Sequence, residues 1–448
     1  MSSGSKSCSL DPVPTSMVKT LLPSLCPVIT VIVNKSLKEG LVPATMKAAL
    51  VRPLIKSNDL DPDLLKSYRP VSNLPFISKI LEKVVSSRID EHLLATKLID
   101  QDQTAYRKFN STETALMCIH NDILRNMDKG RATLLLMLDL SAAYDTIDHD
   151  IFLFRLTNYF GISGTAKKWF ELYLTGRKSQ VVISQNLSTE MQIECGAAQG
   201  SVLGGKCYNM YTTPLREIFK AAHNVCRKAY ADDNQAYVSF EIDCEHEQGM
   251  STAISNLMQC LETAQKWMNH NMLQLNESKT EMILFSPKKH MARFKDFALR
   301  FGNSVILNSS VVENLGVYLD SSLSMQRHIN EKTRSAHHQV RNLWTIRKYL
   351  TEQAAIILVN SLVMPKFDYC NSLLYGVKQS LLHKLQRAQN SAVRLIKKVK
   401  KRQHITPYMK QLKWLPIEYR IQFKILLITF NIYYQNYEAP YCLFQLLN

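Results

Sequence analysis

Two groups of aspartates in this sequence adjoin short apolar segments, where their carboxylates could bind metal ions. Asp139 ends the apolar run TLLLML at 133–138, and Asp232 and Asp233 lie between CRKAY and AYVSF. A carboxylate at the end of a buried strand is costly to desolvate unless it is paired or binds a cation. If the two strands are neighbours, Asp139 and Asp232 meet across the sheet, and a divalent cation would relieve their repulsion.

Magnesium suits such a pair, because it takes one or two carboxylates and completes its coordination with water and phosphate oxygens. Two ions about 3.5–4 Å apart can stabilise both the attacking and the leaving oxygen of a phosphoryl displacement. Asp232, Asp233 and Asn234 also fit a plain hairpin turn, since Asp and Asn are ordinary turn residues. Spacing alone therefore leaves both interpretations open.

Composition indicates the kind of partner. The 448 residues are 46% hydrophobic, enough for a sizeable core in about two or three domains. Lysine and arginine number 55 against 38 acidic residues, which gives a net charge of +17 and points to a polyanion. The sequence has no apolar run of about 18 residues that could span a bilayer and no apolar core of a signal peptide at its start. We therefore expect nucleic acid rather than a membrane as the partner.

The cysteines and histidines form no recognisable site in the sequence. Ten cysteines are scattered without a C-x-x-C pair, which disfavours a zinc site and a disulfide framework and fits a reducing intracellular compartment. Twelve histidines show no H-x-x-H or H-x-E pattern. His149 lies near acidic residues, but a hydrogen-bonding role fits a lone histidine better than a metal-ligand role.

The elements that would position these carboxylates can be predicted from periodicity. Apolar residues at helical spacing predict a helix over 77–89, and Ser111 precedes a second helical stretch. The run at 133–138 predicts a strand buried on both faces, and SQVVIS (179–184) predicts another. Residues from 330 onward are mostly helical, so we expect an α/β or α+β core flanked by helices. The basic helix at 382–402 fits either a solvated face or contacts with a phosphate backbone.

Ordered motifs over about residues 40–440 resemble the reverse transcriptase domain of non-LTR (LINE-type) retrotransposons. The motifs that carry this resemblance are LKSYRPVSNLPFISKILEKVV (65–85), QTAYRKFNSTETAL (103–116), LMLDLSAAYDTIDH (136–149), GAAQGSVLGG (196–205), AYADD (229–233), LQLNESKTEMILF (273–285), NLGVYLDSSLSMQRHI (314–329) and HITPYMKQLKWLPIEYRIQFKI (404–425).

The resemblance implies an α+β, right-hand polymerase fold with fingers, a palm built on an antiparallel sheet, and a helical thumb. It implies an RNA-directed DNA polymerase that works on an RNA template, a DNA primer and dNTPs in the nucleus and cytoplasm. The expected divisions are an N-terminal extension (1–45), fingers (46–130), palm (131–325) with a template-binding loop (196–205), thumb (326–400) and a C-terminal helical region (401–448).

The resemblance also implies roles for single residues. Asp139 and Asp232 would hold two Mg²⁺ ions, with Mn²⁺ as an alternative and Asp233 in a supporting role, and Lys279 would protonate the leaving pyrophosphate. The remaining implied residues bind the triphosphate, crowd the sugar 2′-hydroxyl or position the template base, and they are Lys56, Arg69, Tyr144, Gln199 and Gly200.

Several positions depart from the family pattern. Ala105 and Ala198 replace a usual glycine and a usual proline, and Gly205, Lys206 and Cys207 replace a proline and two leucines. A buried unpaired lysine is expensive, and a helical glycine costs about 0.5–1 kcal/mol. These departures motivate an alternative hypothesis, a catalytically inactive copy of the same fold that only binds nucleic acid. No endonuclease or RNase H motif is recognisable, so we expect the chain to be the polymerase segment of a longer protein.

Overall fold

The computed structural model describes residues 8–57, 59–242, 248–302, 304–434 and 443. Helices in the described ranges are α1 (Thr15–Thr20), α2 (Leu22–Glu39), α3 (Phe76–Ala95), α4 (Thr112–Asp128), α5 (His149–Asn158), α6 (Gly164–Leu174), α7 (Gly204–Thr212), α8 (Leu215–Ala221), α9 (Gln248–His270), α10 (Gln326–Ile346), α11 (Glu352–Leu362), α12 (Pro365–Asp368), α13 (Gln379–Lys397), α14 (Thr406–Gln411) and α15 (Ile417–Tyr434).

Strands are shorter and cluster between residues 48 and 320. They are β1 (Ala48–Ile55), β2 (Tyr68–Asn73), β3 (Arg131–Leu138), β4 (Leu140–Ser141), β5 (Arg177–Ile183), β6 (Asn186–Leu187), β7 (Met191–Ile193), β8 (Val225–Tyr230), β9 (Asp233–Glu241), β10 (Gln274–Leu275), β11 (Glu281–Phe285), β12 (Ala298–Phe301), β13 (Ser304–Leu307), β14 (Val311–Asn314) and β15 (Val317–Asp320). Helices and largely antiparallel sheets confirm the predicted α+β class.

The chain divides into two compact units whose segments alternate along the sequence. The first unit comprises the chain up to Asp100 with Leu140–Ile218 and Glu262–Leu275, and the second comprises Gln101–Asp139, Phe219–Leu261 and the chain from Asn276 onward. The expected boundaries of fingers, palm and thumb stay predictions.

The first unit is built around β1, which pairs antiparallel with β2 and parallel with β5. Helix α2 of the N-terminal extension packs here through Ile29 and Val33, and the indole Nε1 of Trp169 donates to Oγ of Ser36 at 3.1 Å. Helix α3 confirms the helix predicted over 77–89, and its apolar face includes Leu81, Val85 and Ile89.

The second unit is centred on a four-stranded antiparallel sheet in the order β11–β3–β9–β8. Its central strand β3 is the predicted apolar run, with Leu134, Leu135 and Leu136 fully buried. Burying each of these side chains stabilises the fold by about 1.5–3 kcal/mol. An antiparallel sheet of this kind is what the expected palm requires.

Helices around this sheet begin and pack as the sequence predicts. Ser111 caps α4 in a capping box, in which its side chain accepts from the Thr114 backbone and Thr114 Oγ1 accepts from Ser111 N–H. Helix α13 buries the predicted apolar residues and leaves Arg387 exposed, but it ends at Lys397, before the predicted end at 402. Lys398 and Lys401, which follow the helix, are exposed as well.

Two further observations concern the cysteines and the lengths of the helices. Cys118 is disulfide-bonded, and the sequence, which disfavoured a disulfide framework, did not indicate this bond. None of the helices in the described ranges is long and apolar enough to cross a membrane.

Candidate active site

The three aspartates meet at one end of the second unit's sheet. Asp139 directly follows β3, and Asp232 directly precedes β9. Strands β3 and β9 are antiparallel neighbours whose last pair is Leu138 with Asn234, so Asp139 continues the register opposite Asp233. The neighbour of β3 is thus β9, which follows the aspartate hairpin, and not β8, which contains the CRKAY run that precedes it. The hairpin still brings residues almost a hundred positions apart to one sheet end.

Asp232 and Asp233 lie in a tight hairpin between β8 and β9. Tyr230 pairs with Asp233, which leaves Ala231 and Asp232 as a two-residue turn. Ala231 has φ of 57°, as the first central residue of such turns requires. Asn234 donates from Nδ2 to the Asp232 carbonyl at 3.0 Å, and its Oδ1 accepts from the Arg227 guanidinium at 2.9 and 3.1 Å. The hairpin turn and the candidate metal site are thus the same structure.

The electrostatics of the aspartates reflect their closeness. Partial burial of its carboxylate, followed by the negative charges of Asp232 and Asp139, raises the pKa of Asp233 to about 6. Asp233 is exposed as a residue, so solvent screens part of this repulsion. A cation between the carboxylates would relieve it, since a positive charge favours their ionised forms.

Lys279 lies beside Asp139, where the resemblance implies a proton donor. Its Nζ is 3.3 Å from Oδ2 of Asp139, and the lysine side chain is 68% exposed. The backbone N–H of Asn276 donates to the Asp139 carbonyl at 2.8 Å, which fixes the segment that carries Lys279. The lysine is therefore held near the carboxylates while its ammonium group stays open to solvent.

A cavity of about 420 Å³ opens beside these groups within the second unit. Asp139, Asp233 and Lys279 line it together with Gln235 and Asn314. The two amides are buried and bond reciprocally, with Gln235 Nε2 donating to Asn314 Oδ1 at 2.8 Å and Asn314 Nδ2 to Gln235 Oε1 at 3.0 Å. Sequence reasoning missed this pair, because nothing in the sequence indicates that β9 and β14 approach each other.

Tyr144 lies in the first unit, after the short strand β4. Its ring centroid is 4.9 Å from that of Tyr208, at an interplanar angle of 35°. Tyr208 is fully buried in α7 and supports the half-exposed Tyr144 ring from one side. Such support limits the positions that the Tyr144 ring can adopt.

Gln199 and Gly200 are anchored to neighbouring backbone in the same unit. The Ser72 N–H donates to the Gln199 carbonyl at 2.6 Å, and Nε2 of Gln199 donates to both oxygens of Asp145 at 3.0 and 3.1 Å. Gly200 has φ of 120°, and a Cβ there would overlap the Ser72 carbonyl oxygen, so the position requires glycine. Asp145 thus fixes the Gln199 side chain, a role that the sequence did not indicate.

The two cations expected to reach the triphosphate lie on paired strands of the first unit. Arg69 is opposite Leu54 in the β1–β2 ladder, and Lys56 immediately follows β1. Both residues are exposed, and Lys56 Nζ donates to the Lys66 carbonyl at 2.8 Å.

His149, which we expected to be a hydrogen-bonding residue, does form a hydrogen bond, between its Nε2 and the Gly196 carbonyl at 2.9 Å.

The departures in α7 are accommodated locally. Lys206 is buried but forms an ion pair with Asp90, so the expectation of an unpaired lysine is wrong. Burial raises the pKa of the Cys207 thiol to about 12, so this residue is a neutral apolar side chain that replaces a leucine. Gly205 lies in the first turn of the helix, and its predicted cost remains. Ala105, a departure outside α7, has no positive φ and so does not need the conformational freedom of glycine.

Glu82 is a further residue that sequence reasoning missed. It is buried on the apolar face of α3, where its carboxylate accepts from the Val202 N–H at 2.6 Å and from the Tyr173 hydroxyl at 3.1 Å. Burial raises its pKa, and the Val202 hydrogen bond opposes this shift. Glu82 therefore ties the loop that follows Gln199 to α3, and the available signal was a charged residue among helically spaced apolar ones.

Comparison with known proteins shows the family of this chain. Residues 55–319 match the family model described as reverse transcriptase (RNA-dependent DNA polymerase). This match covers more than half of the chain, so the chain belongs to the reverse transcriptase family, whose members have the right-hand polymerase fold that the resemblance implied. The predicted assignment to a LINE-type reverse transcriptase domain is confirmed by its relatives.

Three relatives come from Drosophila melanogaster. The probable RNA-directed DNA polymerase from transposon X-element is 24% identical over 74% of this chain and 35% of its own length. The corresponding protein from transposon BS is 25% identical over 87% of this chain and 43% of its length, and the RNA-directed DNA polymerase from mobile element jockey is 25% identical over 82% and 39%. The chain thus spans less than half the length of these relatives.

A solved structure of apo telomerase from Candida tropicalis, truncated from its C-terminal domain, is also similar. It superposes with a TM-score of 0.40 and 11% identity over 63% of this chain and 55% of the telomerase chain.

Proposed function

We propose that this chain is an RNA-directed DNA polymerase that extends a DNA primer on an RNA template with dNTPs. The observation that carries the proposal is the meeting of Asp139, Asp232 and Asp233 at one end of an antiparallel sheet, with Lys279 3.3 Å from Asp139. The reverse transcriptase family match supports the same reaction. The relatives' names as RNA-directed DNA polymerases provide further support.

The site fits divalent metal ions. Within the described part of the chain, Oδ2 of Asp139 is buried and accepts no hydrogen bond, although Lys279 lies 3.3 Å away, so this oxygen can serve a cation. In those same ranges no three histidine, cysteine, aspartate or glutamate side chains are grouped to hold a metal by themselves. Magnesium needs only one or two carboxylates when phosphate and water complete its coordination, so Asp139 and Asp232 suffice, with Asp233 beside them.

When bound, two Mg²⁺ ions, or Mn²⁺ in their place, would stabilise negative charge on the attacking and leaving oxygens. Asp139 and Asp232 would hold those ions, with Asp233 beside them. Lys279 would donate a proton from Nζ to the leaving pyrophosphate. Its exposed ammonium group is free to approach a substrate, since one side of it faces solvent.

The first unit would bind the nucleotide and the template. Arg69 can grip the triphosphate bidentately and Lys56 as a point charge. Tyr144 would lie beneath the incoming sugar and exclude a 2′-hydroxyl. Gln199, held by Asp145, and Gly200, which leaves room for close backbone approach, would position the template base.

A second candidate is a copy of this fold that binds nucleic acid without catalysis, and the observation that favours it is Gly205 in the first turn of α7. The two candidate functions are distinguished by incubating the purified chain with poly(rA)/oligo(dT), dTTP and Mg²⁺ and measuring dTTP incorporation. Incorporation that depends on Mg²⁺ supports the polymerase. Salt-sensitive binding of the hybrid without incorporation would reject it in favour of the second candidate.

A further inference from the structure

A short segment before α4 covers the outer edge of the second unit's sheet. Strand β8 is the edge strand, and residues 102–104 run beside it. The Ala229 N–H donates to the Asp102 carbonyl at 2.8 Å, and the Thr104 N–H donates to the Ala229 carbonyl at 3.0 Å. Lys228 adds an ion pair to Asp102 at 2.6 Å. This segment is therefore fixed to the strand that leads into the aspartate hairpin.

Within this segment, the side-chain amide of Gln103 brackets one residue of the hairpin. Its Oε1 accepts from the Ala231 N–H at 2.9 Å, and its Nε2 donates to the Ala231 carbonyl at 2.9 Å. The orientation of the amide follows from its partners, because a backbone N–H can only donate and a carbonyl can only accept. Gln103 is 3% exposed, so no solvent competes for these bonds.

Ala231 is the residue of the turn that most needs such support. Its φ of 57° is unfavourable for a residue with a Cβ and costs about 1 kcal/mol or more. The residue that follows it is Asp232, so the conformation of Ala231 sets the direction in which the Asp232 carboxylate leaves the turn. A turn without an external clamp would relax this strain by moving Asp232.

We propose that Gln103 is a positioning residue, which clamps the strained Ala231 peptide and thereby aims Asp232. The proposal rests on the proposed function for its catalytic consequence, because Asp232 is a metal ligand only if that function holds. The clamp itself is independent of catalysis. It is a property of the hairpin in the protein without metal or nucleic acid.

The test compares Gln103→Met with a matched control, Gln389→Met. Methionine keeps the length of glutamine and removes the two amide hydrogen bonds to Ala231, together with the one that Oε1 accepts from the Ala105 N–H at 3.1 Å. Gln389 is also a fully buried glutamine of the second unit, and it donates to the Leu415 carbonyl at 2.9 Å, away from the hairpin. A general loss of packing would therefore affect both variants, whereas a lost clamp affects only the first.

Three measurements are made on the full chain. Amide hydrogen exchange of the peptide around 228–236, without metal, should accelerate about tenfold in Gln103→Met, because a lost hydrogen bond is worth about 1–1.5 kcal/mol. Mn²⁺ binding, measured by electron paramagnetic resonance, should weaken about tenfold, the lower end of the 10–100-fold range for lost metal-site support. Primer extension should lose about 10–100-fold in kcat with the KM for dTTP unchanged. Gln389→Met should show none of these effects.

Unchanged exchange of the hairpin peptide in Gln103→Met, or equal acceleration in Gln389→Met, would overturn the proposal. Failure of the proposed function has a different signature. The wild-type chain would then incorporate no dTTP, while hydrogen exchange would still decide whether Gln103 clamps the hairpin.

Discussion

The charged groups that surround the Asp139 carboxylate come from distant parts of the sequence. Lys279 approaches its buried Oδ2, and Asp233 lies opposite it in the strand register. The sequence indicated the carboxylates through their places beside apolar runs. It could not supply Gln103 or Asp145, because a single polar residue in a loop has no periodicity that reveals its partner.

Tyr144 allows a direct test of nucleotide selection. Replacing it with alanine removes the ring that would crowd a 2′-hydroxyl, so discrimination between dTTP and UTP should fall by about 10–200-fold, the range for one lost steric contact. The measurement is the ratio of kcat/KM for the two nucleotides.

Tyr144→Phe is the matched control, since it keeps the ring that packs 4.9 Å from Tyr208 and should keep the discrimination. An alanine variant that still rejects UTP as strongly as the wild type would show that Tyr144 only packs behind the site.

At the scale of elements, periodicity predicted α3, the start of α4, strand β3 and the apolar face of α13 correctly. These elements follow from local spacing and caps, which the sequence contains in full. The ion pair between Lys206 and Asp90 does not follow from local spacing, because 116 positions separate the two residues along the chain. Cost estimates for buried charges therefore require the fold.

Helix α10 carries a buried histidine whose protonation should destabilise the second unit. Burial, followed by the nearby charge of Lys332, lowers the pKa of His328 to about 4, and its Nδ1 accepts the Tyr318 N–H at 3.3 Å. An unfolded chain binds a proton below about pH 6.5 while the folded chain does not, so stability falls as pH drops from about 6.5 to 4. The expected loss from His328 is about 2 kcal/mol at pH 5 relative to pH 7.5.

The measurement is the free energy of unfolding by urea at pH 7.5 and pH 5, for the wild type and His328→Gln. Glutamine can accept the Tyr318 N–H through Oε1 but does not titrate, so the variant should lose about 2 kcal/mol less on acidification. Equal losses in the two proteins would show that His328 does not contribute to the acid sensitivity.

At the scale of the whole molecule, the net charge of +17 was sufficient to predict a polyanionic partner, and the ordered motifs were sufficient to predict the family. Composition does not show which lysines and arginines are available to bind phosphate, because that depends on the ion pairs they form within the fold. Lys397 is engaged by Glu352 at 2.6 Å, whereas Arg387 and Lys401 are exposed.

This difference predicts the salt dependence of nucleic-acid binding. If Arg387 and Lys401 contact phosphates, the double variant Arg387→Gln/Lys401→Gln should bind a template–primer hybrid more weakly. Its slope of log K against log salt should be shallower by about two, one for each lost contact. Filter binding or fluorescence anisotropy between 50 and 200 mM salt, roughly the range in which such effects are large, measures it.

Lys397→Gln, at the end of α13, is the matched control, and it should change the slope by less than either exposed cation, because Glu352 already balances its charge. A double variant with the wild-type slope would show that Arg387 and Lys401 face solvent and contact no phosphate.

The central claim is that Asp232 holds a catalytic metal, and the most direct test is primer extension by Asp232→Asn in Mg²⁺. Asparagine keeps the size of the side chain and removes the charge, so extension should fall to background while hybrid binding stays close to that of the wild type. Asp296→Asn, at an exposed aspartate outside the sheet-end cluster, should extend normally. Extension by Asp232→Asn at the wild-type rate would contradict the account.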